Sequence, residues 1–340
     1  MVEILPYWQE TESVYKKHTL LEYGFPQGAV LAGLLYNMYS APLHVEVEKH
    51  PTEHLSYADD NDFYIAFSLK DQDTAVQSLQ LCVNNAKEWL NTNLLQVNGK
   101  KTKVIYFTPK KDMSFVQNPI MLGPTVISPC TPVKYLGVQM DSLLNLESHV
   151  NLITSNAYYY LRNISKIRQN LDTDSAKSLV QSMVISRIDY CNSLLSRFPQ
   201  KLTNKLQRVQ NHAARVICRK RRRDHMTPVL KELHWLPIRS RVAFKTLLIT
   251  YKCLIGLAPR YLSDMLKCYR PPRSLRSNTV LAGTLVIPRF NKLKHGGRAF
   301  SFVSPSLWNC LPREVREASS VSLFKSALKT HLFREFYGHD

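Results

Sequence analysis

The sequence predicts an α+β fold, with β-hairpins and helices over residues 1–145 and a mostly helical chain after them. Three observations predict it. Two β-prone runs, His54 to Ala58 and Phe63 to Phe67, flank Asp59-Asp60-Asn61-Asp62. Asp and Asn tolerate tight-turn backbone angles, so this is a hairpin signal. Beyond residue 146 the apolar residues recur at three- and four-residue steps, the spacing of one helix face. Charge changes at the same place. Residues 1–145 carry 11 Lys, no Arg and 15 acids, a net of −4, whereas residues 146–340 carry 34 Lys or Arg and 11 acids, a net of +23.

In chain order, Gln27 to Tyr39 reads as a short apolar helix closed by Ala41-Pro42, and the hairpin follows. Val76, Leu79, Val83, Ala86 and Leu90 mark an amphipathic helix. Val104 to Phe107 and Val133 to Met140 read as strands. A long helix is expected over roughly 147–169, then a second one capped by Asp172 or Thr173 and broken at Phe198-Pro199. The third turns Leu202, Leu206, Val209, Ala213 and Val216 to one face and runs into Arg219-Lys220-Arg221-Arg222-Arg223. Helix is also expected over about 227–233, 239–255 and 320–336, while 270–312, rich in Pro, Arg and Ser, reads as irregular or short-stranded.

Composition narrows the function. At 340 residues and 44% hydrophobic, the chain can bury a full core. An arginine-rich portion beside a mildly acidic one fits a polyanion grip next to a cation site; a merely soluble basic surface is the alternative. The longest apolar stretch, Gly28 to Tyr36, is too short to span a bilayer. Met1 to Pro6 lacks the basic and apolar regions of a secretory signal. Seven scattered cysteines without a Cys-x-x-Cys read as reduced intracellular thiols, with no disulfide-linked partner. His212, Cys218 and His225 match no common zinc spacing.

Two short motifs carry chemistry. By itself, Asp59-Asp60 in a turn is often just a solvated loop. Adjacent carboxylates on a rigid hairpin can also hold Mg²⁺, which favours oxygen ligands. Two such metals activate an attacking hydroxyl and neutralise a leaving pyrophosphate. Upstream, Gly24-Phe25-Pro26-Gln27-Gly28 offers close backbone approach, a stiff entry and an amide that can read a base or sugar edge, or it is simply a helix-starting turn. In this order, one helix apart, the pair points to a nucleotide-polymerising site.

These residues resemble the later palm motifs of a reverse transcriptase from a LINE, or non-LTR, retrotransposon. Gly24 to Leu35 is similar to the family's G-x-P-Q-G element, Tyr57 to Asp60 to its Y-A-D-D, Leu95 to Lys103 to its L-x-x-N-x-x-K-T segment, and Lys134 to Gly137 to its K-Y-L-G hairpin. Arg223 to Pro228, His234 to Ile238, Gly256 to Pro259, Leu307 to Asn309 and Phe324-Lys325 resemble the tail of jockey-like polyproteins. The resemblance implies a partial right-hand polymerase palm over 1–145, a thumb-like helical segment over 146–220, and a basic C-terminal region over 221–340. It implies Asp59 and Asp60 as Mg²⁺ ligands and Lys101 near the triphosphate. Gln27 and Gly28 would lie against template and nucleotide, and Tyr135, Leu136 and Gly137 at the primer end. The implied partners are an RNA template and a DNA primer or duplex, in the nucleus or cytoplasm and away from membranes.

The departures from the family pattern carry expectations of their own. Ala29 stands where the family has serine, Ala32 where it has glycine and Gly33 where it has proline. The family's earlier motif, with its own aspartate, lies well upstream of the Gly24 element. Only 23 residues precede Gly24, their acids are Glu3, Glu10, Glu12 and Glu22, and Asp59 is the first aspartate. The expectation is a chain without fingers or a complete carboxylate set, inactive alone. The alternative is a non-catalytic RNA- or DNA-binding remnant, or a relic of a decayed element. Arg219 to Arg223 have three readings: phosphate contacts, a nuclear import signal or a solvated helix end. The segment His234 to Pro237 reads as packing around Trp235.

Overall fold

The computed structural model describes residues 2–5 (backbone only), 29–108, 117–269, 283–289 and 296–338. The chain divides into two units, Met1–Leu144 and Asn145–Asp340.

The first unit is built on a four-stranded sheet in the order β2-β3-β1-β4. Strand β1 is Val2–Leu5, β2 is Glu53–Tyr57, β3 is Asp60–Tyr64 and β4 is Gln96–Val97. All three neighbouring pairs are antiparallel. Helix α1, Ala32–Ser40, buries none of its residues, and α2, Pro42–Val47, follows it directly. Pro42 therefore opens a helix rather than closing the chain off. At the first helical position the missing N–H would have no intrahelical partner, and the fixed φ suits a helix start.

Helix α3, Gln72–Thr92, has the expected amphipathic pattern. Its Cys82, Ala86 and Leu90 pack with Leu43 and Val47 of α2, with Phe63 and Val97 of the sheet against them. Its Val83 packs on Ile120, Leu122 and Ile127 of a separate hairpin, β5 (Ile120–Leu122) and β6 (Thr125–Ile127). Two strand expectations change. Val104 makes only an isolated bridge to Pro129, so Val104 to Phe107 is not a strand. Val133 to Met140 is two strands, β7 (Val133–Tyr135) and β8 (Val138–Met140), because the chain reverses at Leu136-Gly137.

The second unit is mainly helical. Helix α4, Glu147–Ile167, buries Val150, Ile153, Ala157, Leu161 and Ile164. Helix α5, Thr173–Val180, starts where Asp172 accepts the Ser175 N–H at 2.6 Å, the side-chain cap its sequence suggested. A π-helical turn, Gln181–Ile185, joins it to α6, Ser186–Asp189. Helix α7, Gln200–Cys218, buries the predicted stripe of Leu202, Leu206, Val209, Ala213 and Val216 and packs on α4, α5 and α8.

Helices α8 (Met226–Glu232) and α9 (Ile238–Leu254) come next, then the single turn α10 (Arg260–Ser263). Beyond them lie α11 (Phe300–Trp308), the short α12 (Arg313–Arg316) and α13 (Val321–Tyr337). Residues 300–308 are therefore helix, where an irregular chain was expected. An apolar face (Val303, Trp308) outweighs Pro305, whose ring lies within the helix. One core joins Leu236, Leu247, Tyr251, Trp308, Phe324, Leu328 and Leu332. Tyr251 stacks on Phe324 with centroids 4.2 Å apart, its hydroxyl donates to Ala318 O, and the Trp308 indole donates to Gly283 O. Trp235 is buried, as expected, and its carbonyl accepts the Tyr337 hydroxyl, whose pKa burial pushes up to about 12. Of the tail motifs singled out in the sequence, those carrying Trp235, Trp308 and Phe324 reach the core, whereas Gly256 to Pro259 has no buried residue. None of the seven cysteines is in a disulfide, and no helix among the described residues is long and apolar enough to cross a membrane.

Candidate functional site

The hairpin turn is tighter than its sequence suggested. Tyr57 pairs with Asp60, so the loop is only Ala58-Asp59, and Asp60 to Asp62 lie on β3 rather than in the turn. A two-residue loop matches the twist of the flanking strands when it takes positive φ, and Ala58 does so at +54°. Asp59 is therefore at the tip, with Asp60 at the first position of the strand. Because strand side chains alternate, Asp60 and Asp62 share one face and Asn61 takes the other.

Asn61 holds the turn from below. It is 2% exposed, its Oδ1 accepts from His54 Nε2 at 2.9 Å and from Ser56 Oγ at 3.2 Å, and its amide donates to Asp59 O at 3.2 Å. His54 stacks on Phe63 at 5.0 Å, and burial holds its pKa below the usual histidine range. Close enough to feel the Asp59 charge is Tyr36 of α1. Its hydroxyl is buried without a hydrogen-bond partner among the described residues, and burial and then the Asp59 charge push its pKa up to about 12. A neutral phenol thus stands near the Asp59 carboxylate. Neither Asn61 nor Tyr36 was singled out in the sequence; an Asn next to a diacid turn was the available signal for the first.

Strand β1 adds a neighbour. Glu3 is in register with Asp60 and Val2 with Asn61, so the chain start places an acidic position beside the hairpin. On the far side of β1, β4 leads into the loop that carries Lys101. Asn98 organises that loop: its Oδ1 accepts the Lys100 and Lys101 N–H groups, and its carbonyl accepts the Thr102 hydroxyl. The hairpin acids and the Lys101 loop therefore belong to one sheet. Tyr135, Leu136 and Gly137 lie instead at the turn of the β7–β8 hairpin, a separate two-stranded sheet. Leu136 and Gly137 both have positive φ, as a two-residue turn with two left-handed centres requires. Gln27 and Gly28 lie outside the described residues.

Asp59 and Asp60 have the hard oxygen donors that Mg²⁺ takes. Among the described residues, however, no group of three or more His, Cys, Asp or Glu side chains could hold a metal ion. The donor type fits; the donor number does not.

In the second unit a cleft of about 780 Å³ runs along α7 and is bordered by α4. Arg208, His212, Arg215 and Arg219 form one stripe of α7, four and three residues apart. Arg168 is buried and donates to the carbonyls of Leu171, Val216 and Ile217, a cation at a helix C-terminus. Arg219 takes the left-handed conformation that ends α7, and its guanidinium donates to the Arg168 carbonyl at 3.1 Å. The side chain of Asp224 accepts the Arg221 N–H, which turns the basic run into a loop. Within that run, Arg219, Lys220 and Arg222 line the cleft, whereas Arg221 and Arg223 are exposed and do not.

Residues 5–140 match the family model described as reverse transcriptase (RNA-dependent DNA polymerase). This segment, two-fifths of the chain, is therefore similar to reverse transcriptases. The match takes in the Asp59-Asp60 hairpin, Lys101 and the Tyr135 to Gly137 turn. Among relatives, the probable RNA-directed DNA polymerase from transposon BS of Drosophila melanogaster is 28% identical over 211 residues, 60% of this chain and 23% of that protein. The probable RNA-directed DNA polymerase from transposon X-element, also of Drosophila melanogaster, is 23% identical over 202 residues, 57% of this chain and 21% of that protein. The chain thus aligns with less than a quarter of the length of either. No solved structure matches it.

Proposed function

We propose that the chain carries the diacid hairpin and the nucleic-acid-holding helices of a retrotransposon reverse transcriptase, and that alone it holds RNA or DNA without extending a primer. The observation that carries this reading is the two-residue hairpin, which sets Asp59 and Asp60 side by side within the family-matched segment. Asp59 is the metal-binding carboxylate, Asp60 its weaker partner, and Lys101 faces the triphosphate. Tyr135 to Gly137 support the primer end. When bound, Mg²⁺ in this family supplies charge neutralisation for nucleotidyl transfer. The chain's own contribution is to fix the turn through Asn61 and to keep the Tyr36 phenol neutral beside Asp59.

Support for inactivity of the chain alone comes from the donor count at the hairpin: among the described residues no third metal-ligating side chain joins Asp59 and Asp60. Losing one ligand from a two-metal site removes several kcal/mol of transition-state stabilisation, on the order of the 3–4 kcal/mol lost with one oxyanion donor. The test is primer extension on an RNA template with Mg²⁺ and all four deoxynucleotides. No incorporation is expected; incorporation that disappears in Asp59→Ala would overturn this reading. The non-catalytic part is supported by the +23 charge of residues 146–340 and by the basic cleft on α7. Affinity for RNA or DNA should fall steeply with added salt, because bound phosphates displace counterions.

A further inference from the structure

We propose that the cleft between α4 and α7 takes an unpaired nucleotide of a single-stranded nucleic acid, its phosphate on Arg208, Arg215 and Arg222 and its base against Tyr158 and His212. This rests on the reading that the helical unit holds nucleic acid, and names the form of nucleic acid and the contacts.

The charge comes first. Among the described residues no Asp or Glu lines the cleft, while Arg168, Arg208, Arg215, Arg219, Lys220 and Arg222 do. Arg168 and Arg219 are tied to backbone carbonyls and serve as fixed walls. Arg215 differs from both: one of its terminal nitrogens reaches Asp224 O at 3.4 Å, but its Nε is buried with no hydrogen-bond partner among the described residues. A buried N–H left unmatched is unfavourable, so little holds the Arg215 guanidinium in place, and turning it into the cleft, which its residue lines, would give it an entering phosphate oxygen as partner. Exposed Arg208 lies two helical turns before Arg215 on the same stripe, and exposed Arg222 comes from the loop beyond the helix.

The aromatic wall decides the kind of ligand. Tyr158 of α4 and His212 of α7 face each other with ring centroids 5.6 Å apart, tilted by 50°. Burial, and then the neighbouring Arg215, lower the pKa of His212, so near neutral pH the ring is an uncharged stacking surface. Free phosphate would leave these rings unused, and a duplex hides its base faces in its own stack. An unpaired base presents a π-face to them, the mode by which basic grooves with aromatic rings hold single strands. The volume, about 780 Å³, is within the range of ligand sites, roughly 300–1,000 Å³.

The test uses the full chain and fluorescence anisotropy with three labelled probes of equal phosphate number: a 12-nucleotide oligo-uridine, the same strand made abasic throughout, and a duplex. Oligo-uridine should bind roughly tenfold or more tighter than the abasic strand, the range of one or two base–aromatic stacks. Tyr158→Leu should abolish that preference and leave duplex affinity unchanged. His212→Ser, at an exposed position, should do the same and serves if the first variant loses its helical circular dichroism. Arg208→Gln with Arg222→Gln should weaken both strands and lower the salt slope by about 1.4, at 0.7 per single-strand phosphate contact. Equal binding of abasic and normal strands, or an equal effect of the aromatic variants on duplex, overturns the stacking site while leaving nucleic-acid binding intact. No binding of any probe at low salt overturns the underlying reading instead.

Discussion

Asn61 ties the diacid turn to the strands on either side of it. Itself buried, it gathers His54, Ser56 and the Asp59 carbonyl, so its side chain connects both strands to the loop. Asn61→Ala should cost about 2 kcal/mol, since it deletes these bonds and leaves a buried imidazole donor unmatched. Urea denaturation would show this as a lower midpoint at unchanged slope. Asn61→Asp keeps the acceptors but adds a third charge beside Asp59 and Asp60, and should destabilise through like-charge repulsion. A midpoint for Asn61→Asp at or above that of the parent chain would refute this account.

At the scale of elements, the end of α7 is held by a cation rather than by a glycine. Arg168 reaches across from the end of α4 to three carbonyls, and Arg219 answers by donating to the carbonyl of Arg168 itself. Arg168→Met should destabilise the second unit by about 3 kcal/mol, the scale of charge-assisted bonds lost from buried carbonyls. Arg168→Lys should recover only part of that, because an ammonium cannot span the same fork of acceptors. Thermal unfolding followed by far-ultraviolet circular dichroism checks both; full rescue by Lys would refute the geometry. Local patterning was sufficient for many elements, including α3, α4, α8, α9 and α13, because one apolar stripe facing a core has a period the sequence displays. It was insufficient for Val104 to Phe107 and for residues 300–308. A β-prone tetrapeptide becomes a strand only if a partner strand reaches it, and Val104 meets only Pro129. A Pro-containing apolar segment becomes a helix when a core such as that around Trp308 accepts it.

Over the whole molecule, histidines whose rings lose water on folding set the response to acid. His54, His149 and His212 all have pKa values lowered chiefly by burial, so the folded chain prefers them neutral. With unfolded values near 6.5, the unfolded state takes up protons first as pH falls. Stability should therefore be flat above about pH 7, fall as pH drops through 6.5, and level off once the folded histidines are also protonated. A series of denaturation curves from pH 8 to pH 5 tests this, and stability rising over that interval would contradict it. The core of the second unit sets the other limit. Phe324 is fully buried against Tyr251 and Trp308, and Phe324→Ala should cost roughly 3–5 kcal/mol.

The sequence by itself determined the likeness of the first segment to reverse transcriptases, the hairpin, the apolar faces of the long helices and the separation of charge along the chain. Each of these is local, carried by neighbouring residue types or by a fixed period. Only the tertiary structure decided what the charges and acids do. It set Glu3 in register with Asp60 through a strand pairing more than fifty residues apart, committed Arg168 and Arg219 to carbonyls, and left Arg215 Nε buried without a hydrogen-bond partner among the described residues, in the cleft that Tyr158 and His212 also line. The reason is physical. A guanidinium looks the same in any basic run, and its role depends on which acceptors the fold brings within about 3 Å of it, a distance that no local pattern encodes.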